Sequence, residues 1–498
     1  MRGKSLMIQG TASSAGKSLL CAALLRIFAQ EGLRCAPFKA QNMSNNAFVT
    51  AEGLEMGRAQ VLQAQAAGIP PRVCMNPILL KPLGDRRSQV LVDGRPVGNL
   101  SAMEYQKMKP ALREHVRRVY EQLEAECDLV VLEGAGSPAE INLREGDLVN
   151  MGMAEMADAP VLLVGDIDLG GVFASLLGTV MLLEPRERAR IRGVIINKFR
   201  GDLRILEPGL RMLEDRMGIP VLGVIPYLDL DLEDEDGASL QERPACARSV
   251  LDVAVVRLAH MANFTDLLPL TLQREIRVRY ITRPGELEGA DLVILPGTRN
   301  TGADLLSLRK NAMSEALVRY AQGGGQILGI CGGYQMLGKT LRDPEAVETG
   351  MVCLEGLGLL DMDVVFSEEK KTAQSTGVLC GDRGWTGELS GLHVEGYEIH
   401  SGRCTFGTEA IPWLTIGGET DGVMNPEGNV MGCHLHGLLD DSPLRAALIT
   451  HLGKTAEIPV RPLREVRERE LDRLACVVRE SLDMEAIREI IRGEGQHA

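Results

Sequence analysis

The chain has 498 residues with a net charge of −14, and 24% of them are charged against 45% hydrophobic. That length exceeds one ordinary core and predicts two large domains of soluble, globular character. The acidic balance and an aromatic content of 3% exclude a nucleic-acid partner and a base-stacking platform.

In chain order, Met1–Gly10 carries too short an apolar run for a secretory leader, and no later segment approaches the ~20 apolar residues that span a bilayer. The 11 cysteines are odd in number and contain no CxxC pair, which predicts reduced thiols and a cytoplasmic protein off the membrane. From residue 1 to 228, short apolar runs end in Gly, Asp or Glu and are followed by helical stretches. The runs are Leu6–Ile8, Leu129–Leu132, Val161–Val164, Gly193–Ile196 and Val221–Ile225. They predict an α/β domain with a parallel sheet covered on both faces and functional loops at the strand ends. Residues 229–249 are acidic and aperiodic and read as a linker. A second α/β series, 250–455, opens with Val253–Val256, Leu292–Leu295 and Ile327–Leu328. Residues 456–498 show helical spacing in Val466, Leu471, Leu474 and Val477 and read as an amphipathic C-terminal segment. Nothing in the sequence sets the oligomeric state.

After the first strand stands Gly10-Thr11-Ala-Ser-Ser-Ala-Gly16-Lys17-Ser18, followed by a helical stretch. Glycines let backbone N–H groups turn toward phosphate, and the helix offers its positive end. The pattern predicts an ATP site in which Lys17 neutralises the β and γ phosphates and Ser18 ligates Mg²⁺. Its spacing is one residue longer than the common Walker A loop. A second Mg²⁺ ligand is expected at a neighbouring strand end, where Glu133 stands in Val130-Val-Leu-Glu133-Gly134. Asp166 and Asp168 also follow a strand and either assist phosphate chemistry or shape the loop. Asn197 follows another strand and either reads the adenine edge or forms a turn.

Far downstream, Gly329-Ile-Cys331-Gly332-Gly333-Tyr-Gln335 follows Gln326-Ile-Leu328. Strand, glycine turn, nucleophile and helix make an elbow that lowers the thiol pKa and presents a backbone N–H to an oxyanion. The partner base is expected in Cys433-His434-Leu-His436-Gly437, and His436 is favoured because a glycine follows it. Gly297, after the strand Leu292–Leu295, is the second expected oxyanion donor beside Gly332. No second ligand pair has zinc-site spacing around Cys433. Together the two signatures predict ATP activation of a carboxylate and transfer of nitrogen from glutamine.

These residues resemble the cobyric acid synthase family, the glutamine-dependent amidotransferases of cobalamin biosynthesis. The N-terminal half is similar to P-loop domains of the dethiobiotin synthetase type, in GTASSAGKS and VLEGAG; the C-terminal half is similar to class I (triad) glutamine amidotransferases, in GICGGYQMLG. Family stretches include Pro37-Phe-Lys39-Ala-Gln41-Asn42-Met-Ser, Met75-Asn76-Pro77, Asp166-Ile-Asp168 and Gly396-Tyr-Glu-Ile-His400. The resemblance implies amidation of the b, d, e and g carboxylates of adenosylcobyrinic acid a,c-diamide, with Cys331 as nucleophile and His436 as its base. It also implies that Lys39, Gln41, Asn42 and Asp147 face the corrinoid substrate. Where class I enzymes commonly carry Glu two residues after the histidine, this chain has Leu438. No third catalytic member is assigned, although Asp440 is a candidate orienter. The PFKAQNMS stretch lacks the Mg²⁺-binding carboxylate of dethiobiotin synthetase. Cobyrinic acid a,c-diamide synthase, a cell-wall precursor amidotransferase and a P-loop switch ATPase of the partitioning kind remain the alternatives.

Overall fold

The computed structural model describes residues 4–83, 87–232, 250–348, 352–381, 384–453 and 460–494. Most of the expected acidic linker, residues 233–249, lies outside them. Every predicted apolar run is a strand. The first, Lys4–Gly10, is buried on both faces beyond its first residue, as a central parallel strand must be. It lies between Val161–Asp166 and Leu129–Glu133. Outward from these come Ile191–Phe199 and Val221–Pro226 on one side and Cys35–Phe38 on the other, all parallel. The ends of the strands that carry the phosphate loop, Glu133 and Asp166 are therefore neighbours.

The edge strand Cys35–Phe38 escapes a pattern search because it is short and contains Pro37, a residue that only an edge position tolerates well. Beyond it the chain builds a further sheet that periodicity did not announce. Its strands are Gln41–Met43, Ile78–Pro82, Arg87–Val92 and Arg95–Ser101. With the hairpin Ala47–Val49 and Glu55–Gly57, this sheet meets the second half of the chain. Val49, Leu79 and Leu91 pack with Tyr397 and Ile399. Asn263 Oδ1 accepts from the Ala47 amide at 3.1 Å, and Lys370 Nζ reaches Glu55 at 2.5 Å.

The second half has a parallel core in the order Ile276–Ile281, Leu251–Val256, Leu292–Leu295, Ile327–Ile330 and Val430–Cys433. Antiparallel strands Glu419–Met424 and Ile411–Ile416 extend it to the long strand Met362–Leu379, which pairs with His393–Phe406.

The C-terminal helices Leu463–Ser481 and Met484–Arg492 do not stay with this half. Leu471, Leu474, Val478 and Ile487 enter the same core as Leu6, Ile8, Leu20 and Leu24. Arg26 pairs with Glu468 at 2.7 Å and Asp472 at 2.8 Å. A Cβ on Gly223 would stand 2.1 Å from the Ser481 carbonyl, so only glycine permits this approach. The second half is thus an insertion between two parts of the first.

Candidate active sites

Cys331 sits between the strand Ile327–Ile330 and the helix Gly332–Met336 with φ 50 and ψ −111. A side-chain-bearing residue in that region stores roughly 1–3 kcal/mol of strain, which the surroundings must hold. They do so by close packing: a Cβ on Gly333 would lie 2.0 Å from the Leu295 carbonyl, and one on Gly329 would lie 2.6 Å from Tyr334 Cα. The Cys331 amide donates to the Cys433 carbonyl at 2.9 Å, which ties the elbow to the strand leading to the histidines.

His436 is buried beside Cys331, whose thiol donates to the Ile399 carbonyl at 3.6 Å. Its Nδ1 donates to Asp266 Oδ2 at 2.7 Å, and Asp266 Oδ1 accepts from the Gly437 amide at 2.9 Å. The Asn263 side-chain amide lies 3.2 Å from Nε2, and Tyr397 stacks on the ring at 5.2 Å. Burial works against the charged imidazole, but Asp266 and Cys331 outweigh it and raise its pKa to about 10. A cationic imidazole of this kind is the partner that a cysteine nucleophile needs. The orienting carboxylate is Asp266, from the turn Phe264–Leu267, not Asp440, the candidate suggested by sequence.

His434 has a different neighbourhood. Its Nδ1 donates to Asp421 at 2.7 Å, its ring stacks on His400 at 4.0 Å, and its Nε2 lies 3.1 Å from the Gln335 side-chain amide. It thereby fixes Gln335, which lines the cavity beside Cys331. Gly297 lies where a Cβ would come 3.1 Å from His436 Cε1 and 3.9 Å from Cys331 Cβ. A Cβ on Gly332 would meet Thr298 at 2.5 Å. Gly297 therefore lies beside Cys331 and His436, and Gly332 follows Cys331 directly in the chain.

At the other site, Gly16 is left-handed at φ 91 and a Cβ there would hit the Asn197 amide at 2.2 Å. Asn197 donates to the Ala15 carbonyl at 2.9 Å, so its amide buttresses the loop. Thr11 donates its amide to Val164 at 2.9 Å, and Gly10 is crowded by the Ala12 carbonyl at 3.0 Å. Lys17 Nζ donates to the carbonyls of Ala12, Ser13 and Gly136 at 2.8, 3.0 and 3.2 Å. Ser18 Oγ donates to Glu133 Oε1 at 2.8 Å. Lys39 and Gln63 approach the same buried carboxylate at 2.7 and 2.5 Å. Lys198 joins Asp166 at 2.8 Å and the Ser14 carbonyl at 2.7 Å, while Asp168 pairs with Arg200 at 3.0 Å. Both aspartates thus shape the loop's surroundings through lysine and arginine.

Of the expected substrate residues, Lys39 reaches Glu133, and Asn42 donates to Gln60 at 3.0 Å. Gln41 accepts from Tyr105. Asp147 accepts from the amides of Val149, Asn150 and Gly152 at 2.8, 3.1 and 2.8 Å, which fixes the loop beside Ala135, whose carbonyl accepts from Asn150 at 2.7 Å. Sequence reasoning missed Gln63 and Asp266. Gln63 lies on the helix Arg58–Ala66, which has no motif of its own.

One nucleotide-phosphate site and one cysteine–histidine site on two α/β halves of a single chain place it in the class of glutamine amidotransferases coupled to a P-loop domain. Residues 6–237 match the CobQ/CobB/MinD/ParA nucleotide binding domain and residues 252–444 the CobB/CobQ-like glutamine amidotransferase domain. The cobyric acid synthase of Photorhabdus laumondii subsp. laumondii is 49% identical over 509 residues, covering 99% of each chain. That of Clostridium acetobutylicum is 50% identical over 497 residues, again covering 99% of each, and that of Alkaliphilus metalliredigens is 50% identical over 503, covering 98% of this chain and all of its own. The chain belongs to the cobyric acid synthase family and uses ATP and glutamine to make amides in cobalamin biosynthesis. No helix among the described residues is long and apolar enough to cross a membrane.

Proposed function

We propose that this chain converts adenosylcobyrinic acid a,c-diamide to cobyric acid in the cytoplasm by amidating the b, d, e and g carboxylates. ATP phosphorylates each carboxylate to an acyl phosphate, and ammonia displaces the phosphate. Lys17 turns from the loop carbonyls to the β and γ phosphates. The Ser18 hydroxyl and Glu133 carboxylate, 2.8 Å apart, are a hard oxygen pair that fits Mg²⁺ and would hold it. The ion supplies neutralisation of phosphate charge when bound. Lys39 pairs with Glu133 at 2.7 Å from the other side, and Gln41, Asn42 and the Asp147 loop border the acid-binding face.

At the second site the Cys331 thiolate attacks the glutamine side-chain carbonyl. The backbone amides at Gly297 and Gly332 hold the oxyanion. The His436 imidazolium gives its proton to the departing ammonia, leaving a thioester on Cys331. The neutral imidazole then takes a proton from water, which hydrolyses the thioester to glutamate. The observation that carries this reading is the His436–Asp266 pair placed on Cys331 at a strained elbow, in a cavity that opens on the nucleotide-binding half.

The test is mass spectrometry of adenosylcobyrinic acid a,c-diamide incubated with the protein, ATP, Mg²⁺ and glutamine. Each turnover replaces a hydroxyl by an amine, so the successive amides are counted directly. Accumulation of the product carrying all of these amides is expected. A chain that amidates cobyrinic acid itself and leaves the diamide unchanged overturns the regiochemistry.

A further inference from the structure

The cavity beside Cys331 is lined from both halves of the chain. Cys331, Gly297 and His436 form one wall, and Lys81, Gln89 and Asn99 of the nucleotide-binding half form another. Its charges do not balance. Lys81 and Lys370 share a single buried carboxylate, Glu55, with Lys370 at 2.5 Å. Arg299 stands near these lysines and lines the cavity; Glu55 and Glu348 act on it from a distance, and no ion pair reaches it among the described residues. One of its amino groups donates to Gln89 Oε1 at 2.9 Å, while its Nε is covered and has no hydrogen-bond partner. Also lining the cavity, Glu348 accepts from the amides of Thr301 at 2.7 Å and Gly302 at 3.4 Å. Burial raises its carboxyl to about 7, so a cation beside it is favoured. A cavity with surplus cations at one place and an acid at another suits a zwitterion.

We infer that Arg299 receives the α-carboxylate of glutamine, held in position by Gln89 from the nucleotide-binding half, and that Glu348 receives the α-ammonium. The planar guanidinium matches a carboxylate in geometry and retains its charge when desolvated. Gln89 belongs to the strand Arg87–Val92, so the glutamine pocket is complete only where the two halves meet. The inference rests on the reading of Cys331 as a glutaminase nucleophile.

The test compares glutamine with glutamine α-amide, in which a neutral carboxamide replaces the carboxylate, as substrates of the full chain with ATP, Mg²⁺ and corrinoid diamide present. The wild type should prefer glutamine. Arg299→Ala should raise KM for glutamine by about tenfold or more with a much smaller change in kcat, and its preference over the α-amide should collapse. Arg299→Lys should keep part of that preference. Gln89→Leu, in the other half, should raise the same KM by a smaller factor. Variants that keep the full preference, or lose kcat at unchanged KM, would overturn the assignment and leave Arg299 as a prop of the elbow. A wild type that amidates with ammonia but splits no glutamine would overturn the glutaminase reading, and this inference with it.

Discussion

With Nδ1 donating to Asp266 at 2.7 Å, His436 presents Nε2 to the cavity and stays charged well into the alkaline range. Asp266→Ala removes both effects and should lower the glutaminase rate by roughly 10²–10⁴ at saturating glutamine. A loss as large in His434→Ala and none in Asp266→Ala would reverse the roles of the two histidines. The pH dependence has a definite sign. His436 has its folded pKa raised to about 10, above the ordinary histidine value, so its contribution to stability is complete below about 6.5 and is lost as pH rises through about 10. Asp266→Asn should move that alkaline loss to lower pH, which thermal unfolding between neutral and alkaline pH measures. Cys331→Ser should end glutamine use while amidation with high ammonia continues. Cys331, His436, Lys17 and Ser18 stand out in the sequence because each sits in or beside a glycine turn. Asp266 does not, since it lies 170 residues from its partner in a turn with no local signature.

The helix Leu463–Ser481 shows what an amphipathic pattern leaves open: its apolar stripe was readable, but the surface it covers was not. It lies on Lys17–Gln30, the helix that begins in the phosphate loop. Leu474→Ala should therefore destabilise the nucleotide-binding half by about 2–5 kcal/mol, although Leu474 stands near the far end of the chain. Calorimetry of the full chain checks this, with the transition of the nucleotide-binding half moving down and that of the amidotransferase half staying in place. The parallel strands were legible as continuous apolar runs. The sheet containing Gln41–Met43 and Ile78–Pro82 was not, because its short strands set the polar Asn42, Lys81 and Gln89 among apolar residues.

At the scale of the whole molecule the two sites are serial. Acyl phosphate must exist before ammonia is of use, so Lys17→Ala should abolish amidation with glutamine and with ammonia alike, by about a hundredfold or more. Retained ammonia-driven synthesis would place ATP elsewhere. The order of the two halves was readable from motif order. Their contact was not, because it is made by Val49, Leu79, Tyr397 and Ile399, ordinary apolar residues until the chain is folded.

The return of the last helices to the first sheet has a consequence for synthesis. Residues 463–492 leave the ribosome only after the entire amidotransferase half has been made, so the half begun first is finished last. Until then the packing surface offered by Leu20 and Leu24 lacks its cover. Nascent chains stalled after residue 453 should be cleaved rapidly within 4–232 in pulse proteolysis, while 250–453 resists; equal resistance would mean the first half closes unaided. A message that breaks off early therefore releases no sturdy nucleotide-hydrolysing fragment. ATP consumption arrives in the cell only together with its nitrogen supply.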